Sequence, residues 1–402
     1  MRMSLRAAAA AFLFLVMGVT GSDAQTRGDD PLSNSRIRFG PLGLTPSVTL
    51  GNLGIDSNVF NSTDEPKEDL TATLSPALDS RFRAGPTRLT VQSTADFVYF
   101  RRYQSERSID RGIFGRYEWR MARVTPWVEG SISHTRQRSG YEIDARASRE
   151  LQQREIGVDV AVRPKTRVSL SARRQDYSFD HTLFFGSDLG IVLNRREEGA
   201  TASVFHELTP LTTLVVDADA RRDRFRFAPE RNADSVRLLA GFDIAPFALI
   251  SGRLRVGVRK YDGMGKAISD YRGLVGSAKL ATTIRGRLHV TAELARDVDY
   301  SYTVELPYYL LTGADVEVTH QFTRLFDVQV RGGSHSIAYR GAPLNNASRD
   351  RVDYVQTLGP GVGVHAGRVR IGVNADETRR DSTGPLRAYR TRRVWTAVTY
   401  GR

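Results

Sequence analysis

The sequence predicts an all-β protein: a single closed antiparallel transmembrane β-barrel of about 18 strands, with a range of about 16–18. Three observations predict it. Segments along most of the chain alternate apolar and polar residues with period two. The connections between them alternate between short and long. After an N-terminal leader, no run of roughly 18 apolar residues offers a membrane-spanning helix.

Met1–Ala24 reads as a cleavable signal peptide. Arg2 and Arg6 supply a positive start, Ala7 to Val19 an apolar stretch, and Ser22-Asp23-Ala24 a small-x-small cleavage site. An exported chain follows, with a periplasmic N-terminal lead over residues 25–45 and a barrel over residues 46–402. The 402 residues contain no cysteine, which excludes disulfides, thiolate nucleophiles and Cys-ligated metals.

The alternation is plain in Arg167-Val168-Ser169-Leu170-Ser171-Ala172-Arg173, in Arg253 to Arg259 and in Arg368 to Asn374. An amphipathic helix would place apolar residues at i, i+3 and i+4 instead. Short turns fall at Gly85-Pro86, Thr125-Pro126, Pro164-Lys165, Thr209-Pro210, Pro246, Arg285-Gly286, Thr323-Arg324 and Ala366-Gly367. Longer polar loops centre on residues 61–69, 104–110, 137–149, 180–194, 225–234, 262–270, 301–306, 341–349 and 380–386. Nine long loops and eight short turns both require 18 strands if the two termini share the short-turn side. Closure has a physical cause: lipid offers no hydrogen-bond partners, so strands persist there only in a sheet without edges.

The aliphatic face is assigned to lipid (Val168, Leu170, Val256, Val258, Ile371 and Val373, for example) and the polar face to the lumen. The lumen-lining set is Arg116, Glu118, Arg120, Asp159, Asp217, Asp219, Arg221, Arg253, Arg255, Arg259, Glu293, Asp315, Glu317, Arg331, Arg368 and Arg370. Tyr99, Tyr103, Tyr177, Phe179, Tyr261, Tyr271, Tyr300, Tyr302, Tyr339, Tyr354 and Tyr389 lie near loop-side strand ends and predict an interfacial aromatic girdle.

The net charge of +13 comes from 58 basic residues, 53 of them Arg, against 45 acidic ones. Such a surplus suggests nucleic acid at first, but export removes that partner. In the wall the two signs nearly balance. The excess gathers at loop-side strand ends: Arg101, Arg102, Arg136, Arg138, Arg195, Arg196, Arg222, Arg224, Arg379, Arg380, Arg392 and Arg393. Guanidinium groups match phosphate bidentately, so this collar is expected to contact outer-membrane lipid and glycolipid phosphates or anionic sugar. The long loop 180–194 carries Leu183, Phe184 and Phe185, the expected constriction.

Catalytic chemistry is not evident. No G-x-S-x-G, HExxH or Walker motif occurs, and no catalytic, metal or cofactor site is predicted. Gly359-Pro360-Gly361-Val362-Gly363 is followed by no helix, and Asp56-Ser57-Asn58 starts like a calcium loop but does not continue as one. Asp180-His181 is the sole candidate acid/base pair.

The segment Pro46 to Phe60, ending Gly54-Ile55-Asp56-Ser57-Asn58-Val59-Phe60, resembles the opening strand of the putative β-barrel porin type 2 family. Leu70 to Leu78 resembles the segment that follows it there. The resemblance implies an outer-membrane barrel, associated in many members with exopolysaccharide export, and brings no catalytic residues. It implies the barrel insertion machinery as a partner, with polysaccharide and export-system proteins as further ones. Outer-membrane barrels usually end in an aromatic residue, whereas Gly401-Arg402 follows Tyr400 here. The leading expectation is a channel passing a hydrophilic solute or polymer, plausibly exopolysaccharide. The alternatives are a plugged structural or surface-binding barrel, and a hydrolase using loop acids and His181.

Overall fold

The computed structural model describes Leu32 and residues 35–138, 140–246, 248–264, 270–341 and 351–400. The expected signal peptide and the residues after Tyr400 lie outside this set. Eighteen long strands follow one another around a ring. The first six are β1 (Leu42–Asp56), β2 (Asp69–Ala84), β3 (Thr87–Phe100), β4 (Ser108–Trp119), β5 (Val124–Thr135) and β6 (Arg149–Arg163). Next come β7 (Thr166–Phe179), β8 (Arg195–Thr209), β9 (Thr212–Phe225), β10 (Ala233–Ile244), β11 (Ile250–Gly263) and β12 (Tyr271–Ile284). The last are β13 (Leu288–Tyr300), β14 (Tyr308–Gln321), β15 (Phe326–Arg340), β16 (Val352–Ala366), β17 (Val369–Asp381) and β18 (Tyr389–Tyr400).

Each strand pairs antiparallel with its sequence neighbours, and β18 returns to β1, so the sheet has no free edge. Strands run from 12 to 16 residues, longer than the ~9–11 that cross the apolar band. The two classes of connection stand where the sequence placed them with one exception: Thr125 and Pro126 are paired within β5, opposite Asp159 and Val158, and the turn lies just before them at residues 120–123. The wall starts earlier than expected, because β1 begins at Leu42 and a short strand Ile37–Phe39 pairs back onto it. Tight turns use the chemistry they need: Arg285 and Gly286 both have positive φ, which joins β12 to β13 in a compact reversal.

The seam between β1 and β18 explains the Asp56-Ser57-Asn58 motif. Asp56 is buried and accepts a hydrogen bond from the Thr391 hydroxyl at 3.0 Å, with the Arg393 guanidinium 3.4 Å away. Ser57 donates its N–H to Arg392 O at 2.9 Å and accepts the Arg392 N–H at 2.9 Å through its hydroxyl. Asn58 donates to Ser62 O at 2.8 Å and accepts the Ser62 N–H at 2.9 Å, which folds the loop after β1. Lower in β1, Asn52 has a φ of 53° and sits at a register shift. Its side chain bonds Thr73 and Arg393 inside the barrel. These residues close the barrel.

Among the described residues there is no apolar core between layers. Aliphatic side chains such as Leu170, Val204, Val236, Val256, Val258, Leu274, Ile371 and Val373 are exposed on the outer surface. Inward-facing neighbours one residue along, such as Ser203, Ser235, Arg255, Arg259 and Asn374, are buried inside. The buried apolar clusters lie at the long-loop end, within the barrel mouth.

Candidate functional site: the lumen and the loop that crosses it

Inward-facing charges form groups of ion pairs around the wall. Arg116 lies 2.8 Å from Glu118 and 2.7 Å from Glu129, and Arg120 3.2 Å from Glu118. Arg255 bridges Asp217 at 2.9 Å and Asp243 at 2.8 Å. Arg221 lies 3.0 Å from Asp223, while Arg237 reaches Asp219 at 3.7 Å and Asp297 at 3.2 Å. Arg259 pairs with Asp297 at 2.7 Å, Lys279 with Glu293 at 2.6 Å, and His335 with Asp315 at 3.0 Å. Arg370 and His365 share Asp327 at 2.6 and 2.5 Å. Arg331 bonds Asn374 at 3.0 Å and stands opposite Glu317 in the β14–β15 register. Arg253 stands opposite Asp243. Asp159 accepts from Trp127 Nε1 at 3.2 Å and Arg167 at 2.9 Å. Arg368 differs from the expectation: it occupies the exposed turn between β16 and β17 and lines no wall. Paired charges in a partly desolvated wall hold side chains in place more than they add stability.

The loop between β5 and β6 folds inward and reaches the far side of the ring. Tyr141 stacks on His335 of β15 with ring centroids 3.8 Å apart. Asp144 lies 3.0 Å from both Arg380 of β17 and Arg387 of the loop between β17 and β18. Arg380 also pairs with Asp353 of β16 at 2.5 Å and donates to Tyr141 O at 2.9 Å. Glu142 accepts the Ser301 hydroxyl at 2.6 Å and the Tyr302 N–H at 3.2 Å, and Arg387 donates to Glu142 O. Arg138 donates to Val59 O at 2.5 Å, and Asn61 donates to Asp144 at 3.1 Å. Ile143 and Ala147 complete an apolar cluster with Phe184, Phe225, Tyr300 and Tyr302. β15 stands nine places along from β6, opposite it in a ring of eighteen, so the loop bridges the mouth wall to wall.

Burial pushes the Glu142 carboxyl up to about 7, although the Ser301 hydroxyl, Arg387 and the Tyr302 N–H all pull it down. The hairpin of β13 and β14 turns in beside it. Both faces of its tip are buried from Val298 to Leu310 except at Val304 and Glu305 and part of Thr303 and Asp299. Arg231 ties this tip to the loop before β8 through Ser301 O, Pro307 O and Val192 O.

Several sequence expectations shift. The constriction expected from Leu183, Phe184 and Phe185 is only partly in this cluster: Phe184 is buried against Tyr302 at 4.7 Å, while Leu183 and Phe185 face solvent. The segment that crosses the lumen is instead the loop after β5. Tyr177, Phe179, Tyr261, Tyr300, Tyr302 and Tyr339 face inward as part of the mouth, not outward as a girdle. Outward aromatics include Tyr99, Phe97 and Tyr354 toward the loops, and Tyr117, Trp119, Phe242, Phe322, Phe326 and Tyr400 toward the short-turn end. Among the expected collar residues, Arg195, Arg380 and Arg393 point into the barrel and are buried there, and Arg138 lies within the lumen-crossing loop. The signal was present: Arg380 is in phase with Asn374 and Asp376, and Arg195 with Glu197. Arg136 belongs to the same crossing loop and takes the Asp110 carboxylate on its N–H at 2.9 Å. Arg101, Arg102, Arg196, Arg222, Arg379 and Arg392 are exposed, and Arg224 is half-exposed.

His181 Nδ1 lies 2.7 Å from Asp188 on the loop surface, and this hydrogen bond raises the imidazole's pKa. The other Asp188 oxygen accepts the Gly190 N–H at 2.9 Å and caps the one-turn helix Leu189–Val192. The pair thus completes a loop structure. Among the described residues no cluster of metal-ligating side chains occurs, and no helix is long and apolar enough to cross a membrane.

A closed antiparallel ring, aliphatic outside and charged within, defines a transmembrane β-barrel of the outer membrane. Residues 30–401 match the family described as Putative beta-barrel porin 2, and the chain belongs to that family. Among curated proteins, no sequence matches it. Similar solved structures include Pseudomonas aeruginosa OccK2 (OpdF) in complex with glucuronate, at 11% identity, TM-score 0.49, and coverage of 89% of this chain and 97% of that one. A BenF-like porin from Pseudomonas fluorescens is similar at 12% identity, TM-score 0.47, and coverage of 89% and 98%. Pseudomonas aeruginosa OpdK with vanillate stands at 12% identity, TM-score 0.46, and coverage of 89% and 98%. Nothing about cargo follows from likeness at this level.

Proposed function

We propose that this porin is a passive channel for small hydrophilic solutes. The observation that carries the reading is a charged, water-compatible lumen whose outer half is bridged by the loop after β5. A lumen bridged from Asp110 and Asn61 on one side to His335 and Arg380 on the other favours small solutes over an extended polymer. Exopolysaccharide export draws no support from this arrangement. Because most lumen charges are paired within the wall, selectivity between small cations and anions is weak.

Purified protein in planar bilayers, together with liposome swelling in sugars of graded size, tests the reading. The expected result is discrete conductance, a reversal potential near zero in a salt gradient, and swelling with mono- and disaccharides that fades for longer oligosaccharides. Silent bilayers would indicate a plugged barrel, and undiminished passage of long oligosaccharides would indicate a polymer path. Either would overturn the proposal.

A further inference from the structure

The lipid-facing wall carries an unusual row of charges where its apolar belt meets the long-loop end. Arg154, Arg174, Glu198, Arg222 and Asp234 stand side by side in register across β6 to β10. One step toward the short-turn end, the same strands present Ile156, Ala172, Ala200, Ala220 and Val236. Another step down, Ala202 and Ala218 continue the small residues between Leu170 and Leu238. The charged row and, below it, Ile156, Ala172, Ala200, Ala220 and Val236 line an open, outward-facing depression of about 810 Å³, and Ala202 and Ala218 lie just beneath it.

The charges are not all used up within the protein. Asp176 takes Arg174 at 3.0 Å and Arg196 at 2.9 Å, and Asp234 takes Arg224 at 2.7 Å. Arg222 and Glu198, directly opposite each other, make no ion pair among the described residues. The depression itself sets Arg154, Arg174 and Arg222 against Glu198, Asp234 and Asp262, and the flanking Arg196, Arg224 and Lys260 against Asp176 make its surround net cationic. It faces the layer where lipid headgroups stand, because the same strand faces turn apolar directly below.

We propose that this depression binds a phosphorylated glycolipid of the outer leaflet, with its phosphate on Arg174 and Arg222 and an acyl chain lying over Ala200, Ala202, Ala218 and Ala220. Guanidinium forks suit phosphate. Ala200 and Ala220, with Ala202 and Ala218 between Leu170 and Leu238 one step below them, leave a trough continuous with the hydrocarbon belt, which a soluble anion would not use. The site lies outside the lumen, so it stands or falls independently of solute passage.

The test uses the full-length barrel in detergent with diphosphorylated lipid A as probe, and counts bound lipid by native mass spectrometry. Arg174→Glu with Arg222→Glu is expected to weaken binding about tenfold or more, the scale of losing charge-assisted hydrogen bonds. Ala200→Trp, which fills the trough, is expected to weaken it as well. Dephosphorylated lipid A should bind poorly and inorganic phosphate should not compete. An unchanged heat-dependent mobility shift on a denaturing gel certifies that each variant is a folded barrel, and the milder Arg222→Ala replaces the double variant if that fails to insert. Wild-type lipid retention in the Arg variants overturns the phosphate contact. Retention in Ala200→Trp, or displacement by inorganic phosphate at equal concentration, overturns the lipid as occupant.

Discussion

Acidification should dock the lumen-crossing loop more tightly, and Glu142 is the reason. Its carboxyl has an ordinary value near 4.5 and is pushed by burial up to about 7 when the loop is docked. The docked state therefore holds a proton that the undocked loop releases between those two values. Docking is strongest below about 4.5, weakens as pH rises, and has lost this contribution above about 7. The gap corresponds to roughly 3 kcal/mol, or about a hundredfold in the docking equilibrium. Glu142→Gln keeps the hydrogen bond from Ser301 without the charge. Single-channel recordings between pH 5 and pH 8 read the outcome as the fraction of time at high conductance. That fraction should fall on acidification in the parent protein. In Glu142→Gln it should be low and flat across the range. More frequent opening at low pH, or an undiminished pH response in Glu142→Gln, would refute the reasoning.

Three further outcomes follow from the geometry. Asp144→Asn removes the carboxylate shared by Arg380 and Arg387 at 3.0 Å. Arg380 keeps Asp353, so the cost should be about 2–3 kcal/mol, below the ~3–5 for a fully broken buried pair, and it should appear as larger mean conductance with an unchanged barrel. Val258→Arg puts a guanidinium on the outward face of β11 and should cost about 2–4 kcal/mol at mid-belt, read as a lower temperature for the mobility shift of the folded barrel on a denaturing gel. Gly157→Ala drives a methyl into the Trp127 ring at Cζ2 and Cε2. It should displace the ring that holds Arg116 at 4.2 Å and cost about 1–3 kcal/mol, with a changed tryptophan emission spectrum.

The wall of this protein was legible because a membrane barrel repeats one simple rule. Arg255 and Arg259 face in, and Val256 and Val258 face out, because each residue reverses the face of the last. The same rule separates Arg379, which is exposed, from Arg380, which is buried at Asp353. Proximity to a loop end obscures that difference, so the collar expected from position alone included side chains that turn inward. The tyrosines follow the same logic: Tyr261 and Tyr339 lie near strand ends, yet their phase places them inside the mouth.

The loop after β5 is a different matter. Nothing in Arg136 to Ser148 distinguishes an inserted loop from a solvated one. Its position depends on Ser301, His335, Arg380 and Arg387, all more than 150 residues later in the chain. The motif Asp56-Ser57-Asn58 was legible as a family feature, but its use in joining the first strand to the last became visible only with the ring closed. The sequence by itself determined the number of strands, the side each face presents to lipid and the two classes of connection, because period-two patterning and turn residues act locally. The tertiary structure alone decided how the barrel is sealed and how its mouth is bridged, because those contacts join groups that only ring closure brings within hydrogen-bonding distance.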